Sequence, residues 1–304
     1  MTIPDPTAGP PAGPVAARPL TGIALMAAAM TLAPFGDAIA KYLSAAIPVL
    51  ELSWARFALP GLAFGAVVAF RLGPGALWPA RPALHLGRGL ALYLAATLFF
   101  FAIARMPLAD ALALLFVAPL VTTAVAPFAL GERVGARRWA AVAVGFGGAL
   151  VVLRPGLGVI QPAALMALAA GVLFGLYLAA SRAVARTTPA LVNIAHTVLT
   201  GAVLSSLVLP FVWVAPSAAD LVLMAAIGLA AMAANVALVR AFEFAPAATL
   251  APLAYLEIVM ATVLGLVWFG DFPDGWTWVG IAVIIGSGVT VSVREGRTPR
   301  PSRI

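Results

Sequence analysis

Apolar residues in this chain fall in long continuous runs, interrupted by short polar breaks. Windows of about 20 residues with few charges recur ten times. They lie near 20–43, 47–70, 84–104, 108–130, 136–153, 161–182, 190–214, 218–241, 246–269 and 275–293. At 1.5 Å per residue, each run can cross the ~30 Å hydrocarbon layer as a helix. The breaks are too short to hold a soluble domain. An outer-membrane barrel would instead show apolar and polar residues alternating over short strands. The pattern predicts an all-α integral membrane protein of ten transmembrane helices.

Composition agrees, with 63% hydrophobic and 10% charged residues, where soluble domains carry about 25% charged. The chain has no cysteine, so disulfides and thiolate chemistry are excluded. Its net charge of +7 would point to nucleic acid if it were clustered, but it is spread over loops and a tail. With the N-terminus in the cytoplasm, fourteen of the 18 Lys and Arg fall on the inner side. These are Arg18, Arg71, Arg81, Arg88, Arg133, Arg137, Arg138, Arg182, Arg186, Arg240, Arg294, Arg297, Arg300 and Arg303. Lys41, Arg105 and Arg154 fall outside, and Arg56 lies within the second span. The positive-inside rule therefore predicts an inner-membrane protein with both termini cytoplasmic. Residues 1–19, "MTIPDPTAGPPAGPVAARP", lack the apolar core of a signal peptide and read as a disordered cytoplasmic tail. Residues 294–304 read as a basic cytoplasmic tail.

A constant shift of 139 residues pairs Pro107 with Pro246, Ala109 with Ala248, Leu114 with Leu253 and Thr123 with Thr262. It also pairs Gly131 with Gly270, Trp139 with Trp278 and Gly147 with Gly286. That is an internal duplication, with five spans in 20–153 and five in 154–293. An odd span number places the two halves in opposite orientations, so the expected architecture is two inverted five-helix repeats. The charges agree: Arg133, Arg137 and Arg138 follow Gly131, whereas Asp271 and Asp274 follow Gly270. Inverted repeats belong to secondary transporters, whose site lies near the midplane between the halves.

The stretch "APFGDAIAKYLSAAIPVLELSWARF", residues 33–57, carries Asp37, Lys41, Glu51 and Arg56 inside two spans. Ionisable residues at membrane depth are costly and mark pathways or sites. A hairpin turning near Ala46 brings Asp37 level with Arg56 and Lys41 level with Glu51, so each acid would meet a base. Pro34 removes a backbone donor one turn before Asp37 and predicts a local break in the first span. Glu257 has no base on its own span; a partner on another span, Arg56 or Lys41, would make it structural. These charges either lock the hairpin or contact a polar solute, and three acids against two bases would favour a cationic or zwitterionic one.

Aromatic residues within spans can wall a pocket or simply pack. Trp54 and Tyr255 lie nearest the charges, and Tyr93 and Tyr177 are further candidates. His196 occupies the level of Arg56 at a shift of 140 residues. Asn193 and Asn235 are expected to bond between helices. Gly61–Gly65 and Gly171–Gly175 allow close helix contact but carry little information in so Gly-rich a chain. Glu132 and Asp271 read as loop or capping residues.

A Pro near the start of each half's fourth span, followed by a Gly–acid pair before the fifth, appears as "APL…LGER" around Pro119–Arg133 and "YLE…FGD" around Tyr255–Asp271. In this plan the chain resembles the drug/metabolite transporter superfamily of the EamA type, over roughly residues 20–293. Ile258 stands where many members have Pro, and Asp271 where Glu is usual. "GDAIAKYL", "ELSWARF", "HLGRGL", "YLEIV" and "FPD" look most like the S-adenosylmethionine uptake subgroup. The resemblance implies a non-ATP carrier of a small polar metabolite, nominally S-adenosylmethionine-like. An amino-acid or drug exporter and a riboflavin transporter share the same motifs.

No HExxH is present, and "IGSG" at Ser287 lacks the preceding Gly of a serine-type motif. His85 and His196 are the two histidines. The expectation is therefore no catalytic residue, no metal and no cofactor. A channel would show rings of like charge or repeated carbonyl loops; an accessory protein would have no need of buried acids and bases at one depth. With no Walker-type loop, energy would come from a proton gradient or from exchange against a counter-substrate. The expected partners are the small-molecule substrate and the lipid bilayer, not nucleic acid, with a homodimer compatible.

Overall fold

The structure, a computed structural model, describes residues 19–295 except 80, 131–134, 154–160 and 186. Residues 1–18, residues 296–304 and Glu132 lie outside the described residues. Among those described, every regular element is helical. The helices are α1 (Pro19–Leu43), α2 (Val49–Leu72), α3 (Pro82–Ile103), α4 (Leu108–Leu115), α5 (Ala118–Leu130) and α6 (Ala136–Leu153). They continue as α7 (Pro162–Val184), α8 (Ala190–Val208), α9 (Ala218–Phe244), α10 (Ala247–Leu250), α11 (Leu256–Leu264) and α12 (Gly275–Glu295).

Eight helical stretches are long and apolar enough to cross a membrane. Trp139–Leu153 and Gly275–Ser287 are shorter apolar helices. The chain is thus a multi-pass integral membrane protein. Phe70, Phe128 and Phe211 stand exposed on its flanks, as lipid-facing side chains do.

Two features depart from the sequence pattern. The fourth segment of each half is not one rod. The first is interrupted at Phe116–Val117 between α4 and α5, where Pro119 lacks the N–H that would bond the Leu115 carbonyl. The second runs from α10 through a 3₁₀ segment Ala251–Tyr255, which contains Pro252, into α11 and a π-helical turn Gly265–Phe269. Conversely, the break expected at Pro34 is absent, and α1 is helical throughout. One lost hydrogen bond is tolerated because α9 and α11 pack against α1 along its length.

Pairing across the halves sets the interior. α1 lies against α9, α2 against α8, α3 against α7 and α6 against α12. Glycines fix the directions. A Cβ on Gly22 would meet Ala245 at 2.6 Å, and one on Gly36 would meet Ala230 at 3.2 Å, so α1 and α9 run antiparallel. Gly145 faces Ser287 and Gly280 faces Gly148, so α6 and α12 also run antiparallel. Trp54 bonds Ser206 and Phe57 meets Gly201, while Val68 packs with Val192, so α2 and α8 run antiparallel. Gly171 faces Leu114 and Gly175 faces Val121, so α7 runs parallel to α4 and α5. Small residues let these backbones approach, which is how helices associate where lipid is as apolar as any side chain. The GxxxG pairs set aside in the sequence are therefore contact points with α8 and with α4–α5.

Candidate functional site

α1 and α2 join through a turn at residues 44–48, which brings Asp37 and Arg56 together as the hairpin argument predicts. Arg56 Nη1 donates to Asp37 Oδ1 at 2.8 Å. Asp37 is 4% exposed. The guanidinium also lies over the Phe100 ring of α3, 5.4 Å from its centroid. Glu257, in the first turn of α11, is within electrostatic range of both Asp37 and Arg56. One guanidinium thus bonds one carboxylate and lies within electrostatic range of a second, on helices drawn from both halves. Burial strengthens every electrostatic term here and makes an unmatched charge expensive.

The second predicted pair does not form. Lys41 turns from Glu51 to Asp271, with Nζ–Oδ2 at 2.6 Å, and also donates to the Met106 carbonyl at 2.9 Å. Its Nζ lies 4.8 Å from the Phe269 centroid. Glu51 is fully buried and accepts from the Val214 backbone N–H at 3.0 Å through Oε2, while Oε1 has no partner among the described residues. The physical reason is packing: α1 is held mainly by α9 and α11, and α2 by α8, so the hairpin faces its neighbours more than itself. Equal distance from a turn gives the level of a residue but not its azimuth. Asp271, read as a loop residue, is therefore half of an ion pair between the two halves.

The aromatic candidates separate. Trp54 Nε1 donates to Ser206 Oγ at 3.1 Å, and its ring meets Trp213 edge-on. Tyr255 stacks on Phe116 at 5.7 Å, with its hydroxyl 3.5 Å from the Ile285 carbonyl. Tyr93 meets Phe57 edge-on. Tyr177 stacks on Phe174 and lies beneath Arg88. All four have packing partners; Phe100, not singled out in the sequence, is the ring in contact with the central pair.

His196 does not join Asp37 and Arg56. It lies 5.1 Å, ring to ring, from His85, and the pair sits beside Arg88 near the opposite end of α3. Arg88 donates to the Asn193 carbonyl at 2.7 Å and contacts Ser181 Oγ at 3.4 Å. Arg88 and His85 were missed because Arg88 counted as a loop charge; its place one turn after His85 inside an apolar window was the available signal. Asn193 donates to the Thr188 carbonyl and Asn235 to the Ala231 carbonyl of its own helix, so among the described residues Asn235 makes no interhelical bond.

Known proteins resemble the chain along most of its length. An S-adenosylmethionine uptake transporter of Rickettsia prowazekii is 26% identical, covering 92% of this chain and 95% of its own. A riboflavin transporter of Rhizobium johnstonii is 31% identical, covering 76% of each chain. A solved crystal structure shares the fold at TM-score 0.62 and 24% identity, covering 92% of this chain and 99% of its own. The EamA-like transporter family matches twice, over residues 20–154 and 161–293. The relatives are transporters rather than enzymes, and with the buried charges and helical spans the conclusion follows that this chain belongs to the EamA-like transporter family.

Proposed function

We propose that the protein is a secondary carrier of a small polar organic metabolite, nominally S-adenosylmethionine-like, working by alternating access. In this reading the halves are inverted five-span repeats in the inner membrane, with both termini cytoplasmic. The antiparallel packing of α2 on α8 and of α6 on α12 supports it, since the members of each pair stand at equivalent places in the duplication. The observation that carries the proposal is the buried Asp37–Arg56 pair with Glu257 beside it. Opposed charges on facing helices can release one another and take up a solute's charges as the halves rock. Two carboxylates against one guanidinium favour a ligand bearing a positive group, as the sulfonium and ammonium of S-adenosylmethionine would. The Lys41–Asp271 contact between the halves suits a gate on the outer side.

The test is counterflow in proteoliposomes loaded with unlabelled S-adenosylmethionine, following labelled compound from outside. Riboflavin, whose transporter is the 31% identical relative, and an amino-acid pool run in parallel. Accumulation of the sulfonium compound, abolished by Asp37→Asn and Glu257→Gln, is the expected result. Accumulation of riboflavin alone would reassign the substrate. No accumulation of any compound would overturn the substrate class, and accumulation untouched by both substitutions would return the charges to a structural role.

A further inference from the structure

We propose that the chain carries a second binding site, for an oxyanion, in the cavity where the start of α3 meets the α7–α8 turn. The cavity has a volume of about 540 Å³, and its wall includes Arg81, His85, Thr187, Thr188, Pro189 and Val192. Among the described residues, no acidic one lines it.

Directly behind His85 stands Arg88, only 3% exposed. Its guanidinium meets a carbonyl, a hydroxyl and the Tyr177 ring at 5.9 Å; among the described residues no carboxylate pairs with it, and its Nε has no partner. A buried cation compensated only by dipoles is a standing attraction for an anion, because the low-dielectric surroundings screen it poorly. His85 itself is 2% exposed, with Nδ1 3.5 Å from Arg88 Nη2 and Nε2 3.5 Å from Thr188 Oγ1. The nitrogen facing a guanidinium accepts, so the proton sits on Nε2, on the side of Thr188. His196 lies beside the Ala76 backbone at the cavity wall, and among the described residues its buried Nε2 has no partner. Arg81 and the Thr188 hydroxyl therefore present donors to the cavity, and the His85 ring links Thr188 to the fixed positive charge of Arg88 behind it.

The duplication sharpens the contrast. The offset of 140 residues that takes Arg56 to His196 takes Asp37 to Tyr177 and Lys41 to Ser181. Where one half holds the acid of its ion pair, the other holds an aromatic ring, and α3 supplies the cation. The two ends of α3 thus lie in chemically opposite surroundings, acid-rich around Asp37 and cation-rich around Arg88. Arg88 and Phe100 are about 18 Å apart along α3, so the two sites are separate. The ligand class is a carboxylate or phosphate, free or on a lipid headgroup.

The test does not depend on transport. The purified full chain in detergent is unfolded thermally, followed by tryptophan fluorescence, at fixed ionic strength. Sodium malonate, inorganic phosphate and dioctanoyl phosphatidylglycerol are each titrated against sodium chloride. The expected result is a saturating rise in Tm of several degrees at low millimolar anion, lost in Arg81→Gln and Arg88→Gln and kept in Arg105→Gln. Saturation separates binding from the general stabilising effect of such salts. Should Arg88→Gln not fold, Arg81→Gln and Arg88→Lys carry the test, the latter keeping charge but losing the planar fork. A response to malonate or phosphate supports a free anion, and one confined to the phospholipid supports a headgroup. No rise beyond chloride in the unmodified protein, or an undiminished rise in Arg81→Gln together with whichever Arg88 variant folds, overturns the proposal.

Discussion

Lys41 Nζ lies 2.6 Å from Asp271 Oδ2, joining the end of α1 to a residue 230 positions later that follows the π-helical turn. This ion pair, braced by the Met106 carbonyl and the Phe269 ring, ties the two halves at one end of the bundle. Lys41→Gln should loosen that end. The chain has no cysteine, so spin labels at the exposed positions Tyr42→Cys and Phe272→Cys can report it directly. The expected outcome is a broader and longer label distance in Lys41→Gln, reversed in the exchanged pair Lys41→Asp with Asp271→Lys.

Arg56 is the base that directly bonds Asp37, and removing it leaves a carboxylate buried without a partner. For a buried pair that costs about 3–5 kcal/mol; the partial exposure of Arg56 places the expectation at the lower end, about 3 kcal/mol. Arg56→Gln should lower Tm strongly, and Asp37→Asn with Arg56→Gln should recover most of the loss. A double variant no more stable than the single one would show that the pair is not the dominant partner of either group.

Glu51 offers the opposite case. Among the described residues its Oε1 has no partner, while Oε2 accepts from the Val214 N–H. Glu51→Gln keeps an acceptor for that N–H and removes a buried charge, so Tm should hold or rise. Glu51→Leu leaves the N–H unsatisfied, at about 1–3 kcal/mol, and should lower it. Thermal unfolding of both variants decides.

Close packing predicts a graded glycine series. A Cβ on Gly171 would lie 2.7 Å from the Leu114 carbonyl oxygen, a backbone atom with little freedom to move. Gly147 has nothing within 4 Å of its added Cβ. Gly171→Ala should therefore reduce both Tm and the folded yield in membranes. Gly147→Ala should be neutral or stabilising by up to about 1 kcal/mol, the helix propensity difference.

Much of the architecture is legible without coordinates, because bilayer thickness imposes one length on every span. The long apolar windows from 20–43 to 275–293 correspond to helical segments, and the common level of Asp37 and Arg56 follows from the length of a hairpin alone. Motif spacing around Pro119 and Asp271 points to the family, since backbone breaks need Pro and Gly wherever they occur. The bend between α4 and α5 is half-visible in Pro119, yet Pro34 carries the same local signal inside a helix that stays whole. Whether neighbours hold a helix together is not a local property.

Azimuth, too, belongs to the tertiary structure. Lys41 and Glu51 stand at one level, but which way each side chain turns depends on α9, α11 and α8, and that choice gives Lys41 to Asp271 and Glu51 to Val214. His196 sits at the level of Arg56 by duplication, while only the approach of α3 brings it to His85 and Arg88. The amino-acid sequence by itself determined the long apolar runs and the charges placed among them, because transfer to lipid is a property of each segment. Which charges meet was decided only in the folded bundle, because an ion pair needs distance and direction together.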